Sequence, residues 1–321
     1  MEVDTDVFLS KVFAPVFYPV LGNARIYWLY LLTALALAAV AYGIGRTRRS
    51  LVDFLRYCFP KAVYGHDSTL LDVKYFFVSR VSWALVFAPA MIGAPLVAEW
   101  TTAFLRHLTG HAGLGVSTGL GIQIAVTIAW IVAFDFAIFF GHWLQHKVPA
   151  LWEFHKVHHS APVLTPLTVY RVHPMDDVLY GWFVGLTTGG LAGVVGFIAA
   201  EPVEPFAIFG LNAVMFGFYL AGFNLRHTHV WLSYPAAVSH VFISPAQHQI
   251  HHSTEERHLD KNMGYIFAVW DWLFGTLYVP KEREAVGFGL TGGEHREFTS
   301  LWRLYTLPFR KLATSWRRPR P

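Results

Sequence analysis

Histidines at short, repeated intervals are the residues of this sequence best suited to chemistry. Eight of its 17 histidines fall into three groups. The groups are HWLQH with His142 and His146, HKVHH with His155, His158 and His159, and HQIHH with His248, His251 and His252. Residues three or four apart share one face of a helix, so each group would aim its imidazoles at one point. Together they could surround one or two metal ions, and imidazole suits iron, zinc, copper and nickel.

The acidic residues and the single cysteine argue against other familiar metal sites. Soluble di-iron bundles use a Glu-x-x-His motif, and zinc hydrolases use His-Glu-x-x-His. None of the three groups contains either motif, and Glu153 stands before the second group without an acidic partner. Cys58 is the only cysteine, so no cluster of thiolates is available. The predicted site is therefore rich in histidine and poor in anionic ligands.

The composition indicates that lipid surrounds the elements carrying these histidines. Of 321 residues, 54% are hydrophobic and 14% are charged, whereas soluble domains average about 25% charged residues. Five apolar segments are candidate membrane spans: 26–45, 76–98, 120–140, 178–200 and 206–223. The second contains Pro89 and Pro95, which predict a kink or a short hairpin. The last two are separated only by EPVEP and could form a hairpin that does not cross. The glycines of 178–200 predict close helix contacts.

Basic residues in the short loops predict the orientation. The loop 45–75 is rich in Arg and Lys, whereas 99–119 contains only Arg106, so the first loop is predicted to be cytoplasmic. With five spans, segments 141–177 and 224–321 would then also be cytoplasmic, as would the basic C-terminal end, and the N-terminus would lie outside. A secretory signal is not expected, because the first residues are acidic. The predicted fold is an all-α, polytopic membrane helical bundle with a cytoplasmic, histidine-rich di-metal cap, in an integral, multi-pass protein.

The chain is predicted to form one structural domain with three regions. Residues 1–114 would be N-terminal membrane anchor helices, 115–280 the catalytic region and 281–321 a basic cytoplasmic tail. The formal net charge of +4 suits an anionic membrane surface and gives no reason to expect a nucleic acid partner.

Seven segments resemble the membrane fatty acid hydroxylase and sterol desaturase superfamily. They are DFAIFFGHWLQH (135–146), LWEFHKVHHSA (151–161), YRVHPMDD (170–177), NLRHTHVWL (224–232), SPAQHQIHHS (244–253), DKNMGYIFAVWD (260–271) and LFGTLY (273–278). The resemblance covers about half the chain, roughly 115–280. It implies a non-haem di-iron centre, dioxygen, a lipid substrate and electrons from NAD(P)H through a separate ferredoxin or cytochrome b5 type protein. Zinc could replace iron in purified protein.

The resemblance and the spacing add further candidate site residues. His227 in RHTH matches a family position that is often a ligand, so nine metal ligands are expected: His142, His146, His155, His158, His159, His227, His248, His251 and His252. Asp135 lies seven residues before His142, on nearly the same helix face, and is expected to orient a ligand histidine. Asn224 and Asp176 are candidates for the same role. His173 is expected to orient a ligand or to face substrate. His229 stands where relatives often have asparagine.

The preferred function is hydroxylation of a lipid C–H bond, in an acyl chain or a polar head group. Desaturation of a sterol or fatty acyl chain by the same kind of centre is the alternative within the family. A membrane metal transporter would need ionisable residues inside several spans, but only Asp135 is clearly interior. A bis-histidine haem carrier would place single histidines on facing spans, whereas these groups lie at span ends and in loops.

Overall fold

The computed structural model describes residues 5–44, 50–91 and 93–317, and these residues are largely helical. The α-helices are α1 (Thr5–Phe13), α2 (Trp28–Gly43), α3 (Leu51–Cys58), α4 (Lys61–Tyr64), α5 (Asp67–Ser82), α6 (Ala94–Thr109), α7 (Leu120–Lys147), α8 (Pro149–His159), α9 (Pro174–Ile198), α10 (Ala213–Leu220), α11 (Ala236–Ser239), α12 (Pro245–His251), α13 (Val269–Phe274) and α14 (Leu301–Arg317). Strands β1 (Ala207–Ile208) and β2 (Leu211–Asn212) pair as an antiparallel hairpin. The predicted helical fold class is confirmed for these residues.

Two helices, α7 and α9, are long and apolar enough to cross a membrane. At 1.5 Å per residue, their 28 and 25 residues extend for about 42 and 37 Å, more than the ~30 Å of a hydrocarbon core. Leu120, Ile124 and Ile128 form an exposed apolar stripe on the first half of α7. Such a stripe is stable against lipid or another apolar partner but costly in water. These features indicate a membrane protein.

Close contact between α6 and α9 depends on two glycines. A Cβ atom on Gly189 would lie 2.6 Å from the carbonyl oxygen of Ala94, and one on Gly193 would lie 2.5 Å from the Thr101 side chain. Any larger residue would push the helices apart. The prediction of close helix contacts from the glycines of 178–200 is therefore confirmed.

Three of the five predicted spans differ from single long helices. Segment 76–98 is broken: α5 is followed by a π-helical turn at Trp83–Phe87 and a 3-10 turn at Ala88–Ala90 before α6 begins. Pro89 and Pro95 account for the break, because proline removes helical hydrogen bonds. Segment 206–223 is corrected to the β hairpin and α10, whose eight residues extend for only about 12 Å. Helix α2, in segment 26–45, has 16 residues and extends for about 24 Å.

The loop 45–75, whose basic residues predict the orientation, is only partly covered by the described residues. Arg46, Arg48 and Arg49 of the basic loop lie outside the described residues, as do residues 1–4 and 318–321. The number of crossings and the cytoplasmic orientation therefore stay predictions.

The C-terminal helix α14 packs against α8, the helix that carries the second histidine group. Lys311 of α14 bonds to Glu294 at 2.6 Å and to Glu297 at 2.8 Å. Lys156 of α8 also contacts Glu294, at 3.1 Å. Residues 281–317 of the predicted tail therefore contribute packing behind the histidines.

Candidate metal centre

The histidines form two adjacent clusters at one end of the long helices. The five-histidine group consists of His142 and His146 on α7, His155 and His159 on α8, and His251 on α12. The four-histidine group consists of His158 on α8, His227, and His248 and His252 at α12. Within each group, one ring nitrogen per residue lies within 4.8 Å of all the others. Segments more than 100 residues apart in sequence are thus brought together.

Each His-x-x-His-His motif is divided between the two groups. On α8, His155 and His159 join the five-histidine group and His158 joins the four-histidine group. On α12 the division is reversed, because His248 and His252 join the four-histidine group and His251 joins the five-histidine group. Positions i and i+4 point in nearly the same direction, whereas i+3 is rotated by about 100° from i+4. Each helix therefore supplies ligand candidates to both groups.

Backbone carbonyl groups determine the proton positions on three of these histidines. The Nδ1 atoms of His142 and His251 lie 2.7 Å and 2.9 Å from the carbonyl oxygens of Met263 and Lys261. The Nδ1 atom of His158 lies 3.2 Å from the carbonyl oxygen of Arg171. A carbonyl oxygen only accepts, so each Nδ1 must donate. In the neutral ring the lone pair is then on Nε2, the atom that faces the cluster.

The Nε2 atoms of the five-histidine group have no hydrogen-bond partner. These buried atoms belong to His142, His146, His155, His159 and His251. Five buried ring nitrogens that face one another without a hydrogen-bond partner would carry a desolvation penalty of about 1–3 kcal/mol each. A bound cation removes this penalty, so the donor set fits a metal ion.

The nitrogen spacing in the four-histidine group also fits a metal ion. The Nε2 atom of His227 lies 3.1 Å from Nε2 of His248, 3.2 Å from that of His252 and 3.4 Å from that of His158. Metal–nitrogen bonds of about 2.1 Å with angles of 90–110° place neighbouring nitrogens about 3.0–3.4 Å apart. The two groups could therefore each hold a metal ion.

Burial keeps the imidazoles neutral, as metal binding requires. It lowers the pKa of His158 to about 3 and that of His155 well below the ordinary value. Neighbouring imidazoles lower the pKa of His155 further. Neutral histidine is the form that binds metal.

The segment Asp260–Met263 supplies three of the acceptors behind the five-histidine group. Asp260 Oδ1 lies 3.2 Å from His146 Nδ1, and the carbonyl groups of Lys261 and Met263 accept from two further histidines. Asp260 and Asn262 have φ angles of 58° and 55°, in the left-handed region that Asp and Asn tolerate best. The hydrogen bond from His146 and the charge of Lys147 lower the pKa of Asp260 to about 2.

No site role was predicted for Asp260 and its neighbours, although DKNMGYIFAVWD (260–271) is among the segments that carry the family resemblance. The signal that could have found them is the Asp-x-Asn pattern itself. Asp and Asn at alternate positions indicate a tight segment with left-handed backbone angles, and an Asp side chain in such a segment can bond to a neighbouring element.

Asp135 orients no histidine, and the prediction for its contacts is corrected. Its carboxylate accepts from the backbone N–H groups of Ile266 (2.7 Å) and Phe267 (3.0 Å) and from the indole N–H of Trp270 (2.9 Å). It therefore attaches segment 266–270 to α7. Asp135 lies on the helix face that the seven-residue spacing predicted. Segment 266–270 packs against that face, and its N–H groups occupy the carboxylate in place of an imidazole.

Asn224 and His173 likewise contact no clustered histidine by hydrogen bonds. Asn224 donates to the carbonyl oxygen of Arg25 at 3.0 Å. His173 Nδ1 accepts from the N–H of Met175 at 3.1 Å and caps α9, while Nε2 donates to the carbonyl oxygen of Tyr305 at 3.1 Å. Both residues hold neighbouring elements together and neither bonds to a clustered histidine, whereas the substrate-facing role of His173 stays a prediction.

Asp176 and His229 complete the sequence candidates. Asp176 Oδ2 lies 3.4 Å from Nδ1 of His155, and both residues are buried. The carboxylate is thus beside a clustered histidine, but neither of these two atoms makes a hydrogen bond, and the orienting role of Asp176 stays a prediction. His229 lies outside both groups and donates through Nε2 to the carbonyl oxygen of Tyr57 at 2.6 Å.

A cavity of about 340 Å³ gives access to the five-histidine group. Its lining includes His146, His159 and His251, together with Trp152 and Asp260. An entry path of this kind is expected of a functional metal site.

Comparison with known proteins yields one family and several distant relatives. Residues 127–276 match the model of the fatty acid hydroxylase family. The chain is 26% identical over 167 residues to the ornithine lipid hydroxylase OlsE of Rhizobium tropici, covering 52% of this chain and 46% of that protein. It is 26% identical over 176 residues to the alkylglycerol monooxygenase of Caenorhabditis elegans (52% and 31% covered) and 27% identical over 165 residues to that of Homo sapiens (50% and 33% covered).

The chain therefore spans less than half the length of these relatives. No solved structure was found to match it. Both histidine groups and the segment Asp260–Met263 fall inside the matched residues 127–276. Residues 127–276, fewer than half of the 321 residues, are thus similar to the fatty acid hydroxylase family, and the relatives matched are named as lipid hydroxylases or monooxygenases.

Proposed function

We propose that the protein is a membrane-bound di-iron monooxygenase that hydroxylates a C–H bond of a lipid. Dioxygen would supply one oxygen atom to the lipid and one to water. The reaction consumes two electrons and two protons, which would come from NAD(P)H through a separate ferredoxin or cytochrome b5 type protein. Relatives named as lipid hydroxylases and monooxygenases support this class of reaction.

The observation that carries the proposal is the set of buried imidazole nitrogens that converge in two adjacent groups. Nine neutral imidazoles facing two points form a donor set that suits iron, and zinc could replace iron in purified protein. Iron bound there would supply activation of dioxygen toward an unactivated C–H bond. The nine ligands would be His142, His146, His155, His158, His159, His227, His248, His251 and His252.

The protein residues around the metals would have three tasks. Carbonyl groups of Met263, Lys261 and Arg171 hold ligand tautomers. Asp260 would orient His146 and would offset part of the charge of a bound metal. Burial of the four-histidine group, none of whose members lines the cavity beside the five-histidine group, would keep bulk water away from it. Asp135 would act only through the segment that it attaches to α7.

The proposed location is the membrane interface on the cytoplasmic side. His142 and His146 lie in the last turns of α7, and Asp176 lies in the first turn of α9. The groups are thus at the shared end of the two helices that are long enough to cross a bilayer. The basic residues of loop 45–75 support the cytoplasmic orientation.

The alternatives differ in what the same residues would do. Desaturation of a sterol or acyl chain also begins with hydrogen abstraction, but it removes a second hydrogen instead of adding oxygen. A transporter would need a path away from the site, and the buried, converging imidazoles favour tight binding over release. A haem carrier needs two histidines on opposite faces of the haem. In the four-histidine group, the Nε2 atom of His227 lies 3.1 Å from that of His248 and 3.4 Å from that of His158, which is too close for a haem to lie between them.

The test is a turnover assay with the purified, iron-loaded chain in lipid nanodiscs. Lipid extract, NADPH, a ferredoxin with its reductase and ¹⁸O₂ are supplied, and the lipids are analysed by mass spectrometry. We expect a product that has gained one ¹⁸O atom, about two irons per chain and no Soret band. A product that has lost two hydrogens would indicate a desaturase. Metal transport into vesicles or a Soret band would overturn the oxygenase assignment.

A further inference from the structure

A second cavity, separate from the one beside the five-histidine group, lies between the N-terminal segment and α9. Its volume is about 310 Å³, within the range of about 300–1,000 Å³ that is usual for small-molecule sites. The lining includes Tyr18, Asn23, Arg25, Arg80, Tyr170 and Asp177. We propose that this cavity binds the anionic head group of a lipid through its phosphate or carboxylate.

The cavity has an excess of positive charge. Arg80 Nη2 bonds to Asp177 Oδ2 at 2.8 Å, so that pair is neutral. The guanidinium group of Arg25 has no carboxylate within ion-pair distance among residues 5–44, 50–91 and 93–317. Within those residues it makes one long hydrogen bond of 3.5 Å to the carbonyl oxygen of Val169 and lies 5.7 Å from the centre of the Tyr265 ring. A guanidinium group binds phosphate or carboxylate through two parallel hydrogen bonds. One arginine is therefore available for an anion.

Tyr170 provides an independent indication of a ligand. Its side chain is only 5% exposed, and its hydroxyl makes no hydrogen bond although it lines the cavity. The backbone N–H of Arg25 is nearby, but an N–H group cannot accept the hydroxyl proton. Burial raises the pKa of Tyr170 to about 12, so this proton is retained at neutral pH. A buried donor without an acceptor is costly, and an oxyanion in the cavity would satisfy it.

The surface next to the cavity favours a lipid over free phosphate. Val16, Phe17, Val20 and Leu21 are all at least 41% exposed, and Leu21 also lines the cavity. This apolar run would be unfavourable in water but would pack against acyl chains. A lipid could thus place its head group on Arg25 and its chains along this segment.

The position of the cavity connects it to the candidate metal centre. Tyr170 and Val172 flank Arg171, whose carbonyl accepts from His158. Asp177 follows Asp176, which lies beside His155. If the proposed lipid hydroxylation is correct, the bound head group would hold nearby carbons of the same lipid next to the metals.

The test measures binding and does not require turnover, so its failure is distinct from failure of the proposed function. Native mass spectrometry on the full metal-loaded chain is used with dioctanoyl phosphatidic acid, decanoate and the neutral dioctanoylglycerol. We expect at least one of the two anionic lipids to bind in preference to dioctanoylglycerol. Arg25→Gln should weaken that binding about tenfold or more, and Tyr170→Phe by a smaller factor. Millimolar inorganic phosphate should not displace the lipid.

Matched controls separate this site from general charge effects. Arg106→Gln removes an exposed arginine at the C-terminal end of α6 and should leave binding unchanged. Tyr170→Phe preserves the ring that packs on Phe76 at 4.8 Å, so folding should persist. The thermal midpoint and iron content of each variant verify this. Binding unaffected by Arg25→Gln, or equal binding of dioctanoylglycerol, would overturn the proposal, and displacement by phosphate would overturn the head-group assignment.

Discussion

The Nδ1 atom of His142 donates a hydrogen bond of 2.7 Å to the carbonyl oxygen of Met263, which follows 121 residues later in the chain. This contact fixes the proton on the outer nitrogen and leaves the inner nitrogen free to bind. It also connects the end of α7 to the segment Asp260–Met263. The candidate centre therefore depends on an assembled tertiary structure, since no single helix holds both the ligand and its orienting group.

His227→Ala should remove one metal ion while keeping the other. His227 belongs only to the four-histidine group, where its Nε2 atom contacts three other Nε2 atoms. We expect iron to fall from about two to about one per chain and lipid hydroxylation to be lost. His229→Ala is the control, because His229 lies outside both groups and bonds to the Tyr57 carbonyl. Full iron content in His227→Ala would contradict its assignment as a ligand.

Asp260→Asn should reduce turnover by about 10- to 100-fold, the usual effect of losing a residue that orients a metal ligand. The amide keeps an oxygen for His146 Nδ1 but loses the negative charge. The loss should appear in both iron affinity and the initial rate. Asp53→Asn, at an exposed position on α3, should change neither. Equal rates for the two variants would show that Asp260 has no orienting role.

Asp135→Asn should affect stability more than chemistry. The carboxylate accepts three N–H donors, and an amide in its place would direct its own NH₂ group at one of them. Leaving a buried donor unsatisfied costs about 1–3 kcal/mol, so the thermal midpoint should fall. Iron per folded chain should stay near the wild-type value. A variant that loses iron at an unchanged thermal midpoint would show a direct role at the metals.

His173 should make the metal-free protein less stable at mildly acidic pH. Burial lowers its pKa from 6.5 to about 4, so between these values the folded state binds fewer protons than the unfolded state. Stability is thus fully present above pH 6.5 and falls as the pH decreases toward 4. Between pH 7.5 and pH 5, this titration lowers the free energy of unfolding by about 2 kcal/mol. The variant His173→Asn preserves a helix cap, and its thermal midpoint should fall less over this pH range than that of the wild-type protein. An equal fall in the two proteins would exclude His173 as the cause.

Local spacing predicted which histidines would form the candidate centre, but it did not predict how they would be divided. The i, i+4 pairs His155/His159 and His248/His252 follow from helix geometry alone. Their separation into different groups depends on how α8 and α12 face each other, and that is determined by packing between distant segments. The sequence did place all nine histidines together, partly through the resemblance of the RHTH segment around His227.

The residues around the histidines were harder to predict for the same reason. Asp260 contributes through a left-handed loop whose partner, His146, lies 114 residues earlier. Asp135 was on the correct face of α7, but the segment 266–270 occupies that face. Hydropathy also predicted too many long helices. Segment 206–223 is predominantly apolar, yet it folds as a β hairpin and a short helix. Burial within the protein produces the same composition as contact with lipid.

The most direct measurement is an anomalous-difference map of the iron-loaded protein, recorded at the iron absorption edge. Two peaks are predicted, one among the Nε2 atoms of the five-histidine group and one among those of the four-histidine group. A map without peaks at these positions, or with a single iron held elsewhere, would contradict a di-iron centre.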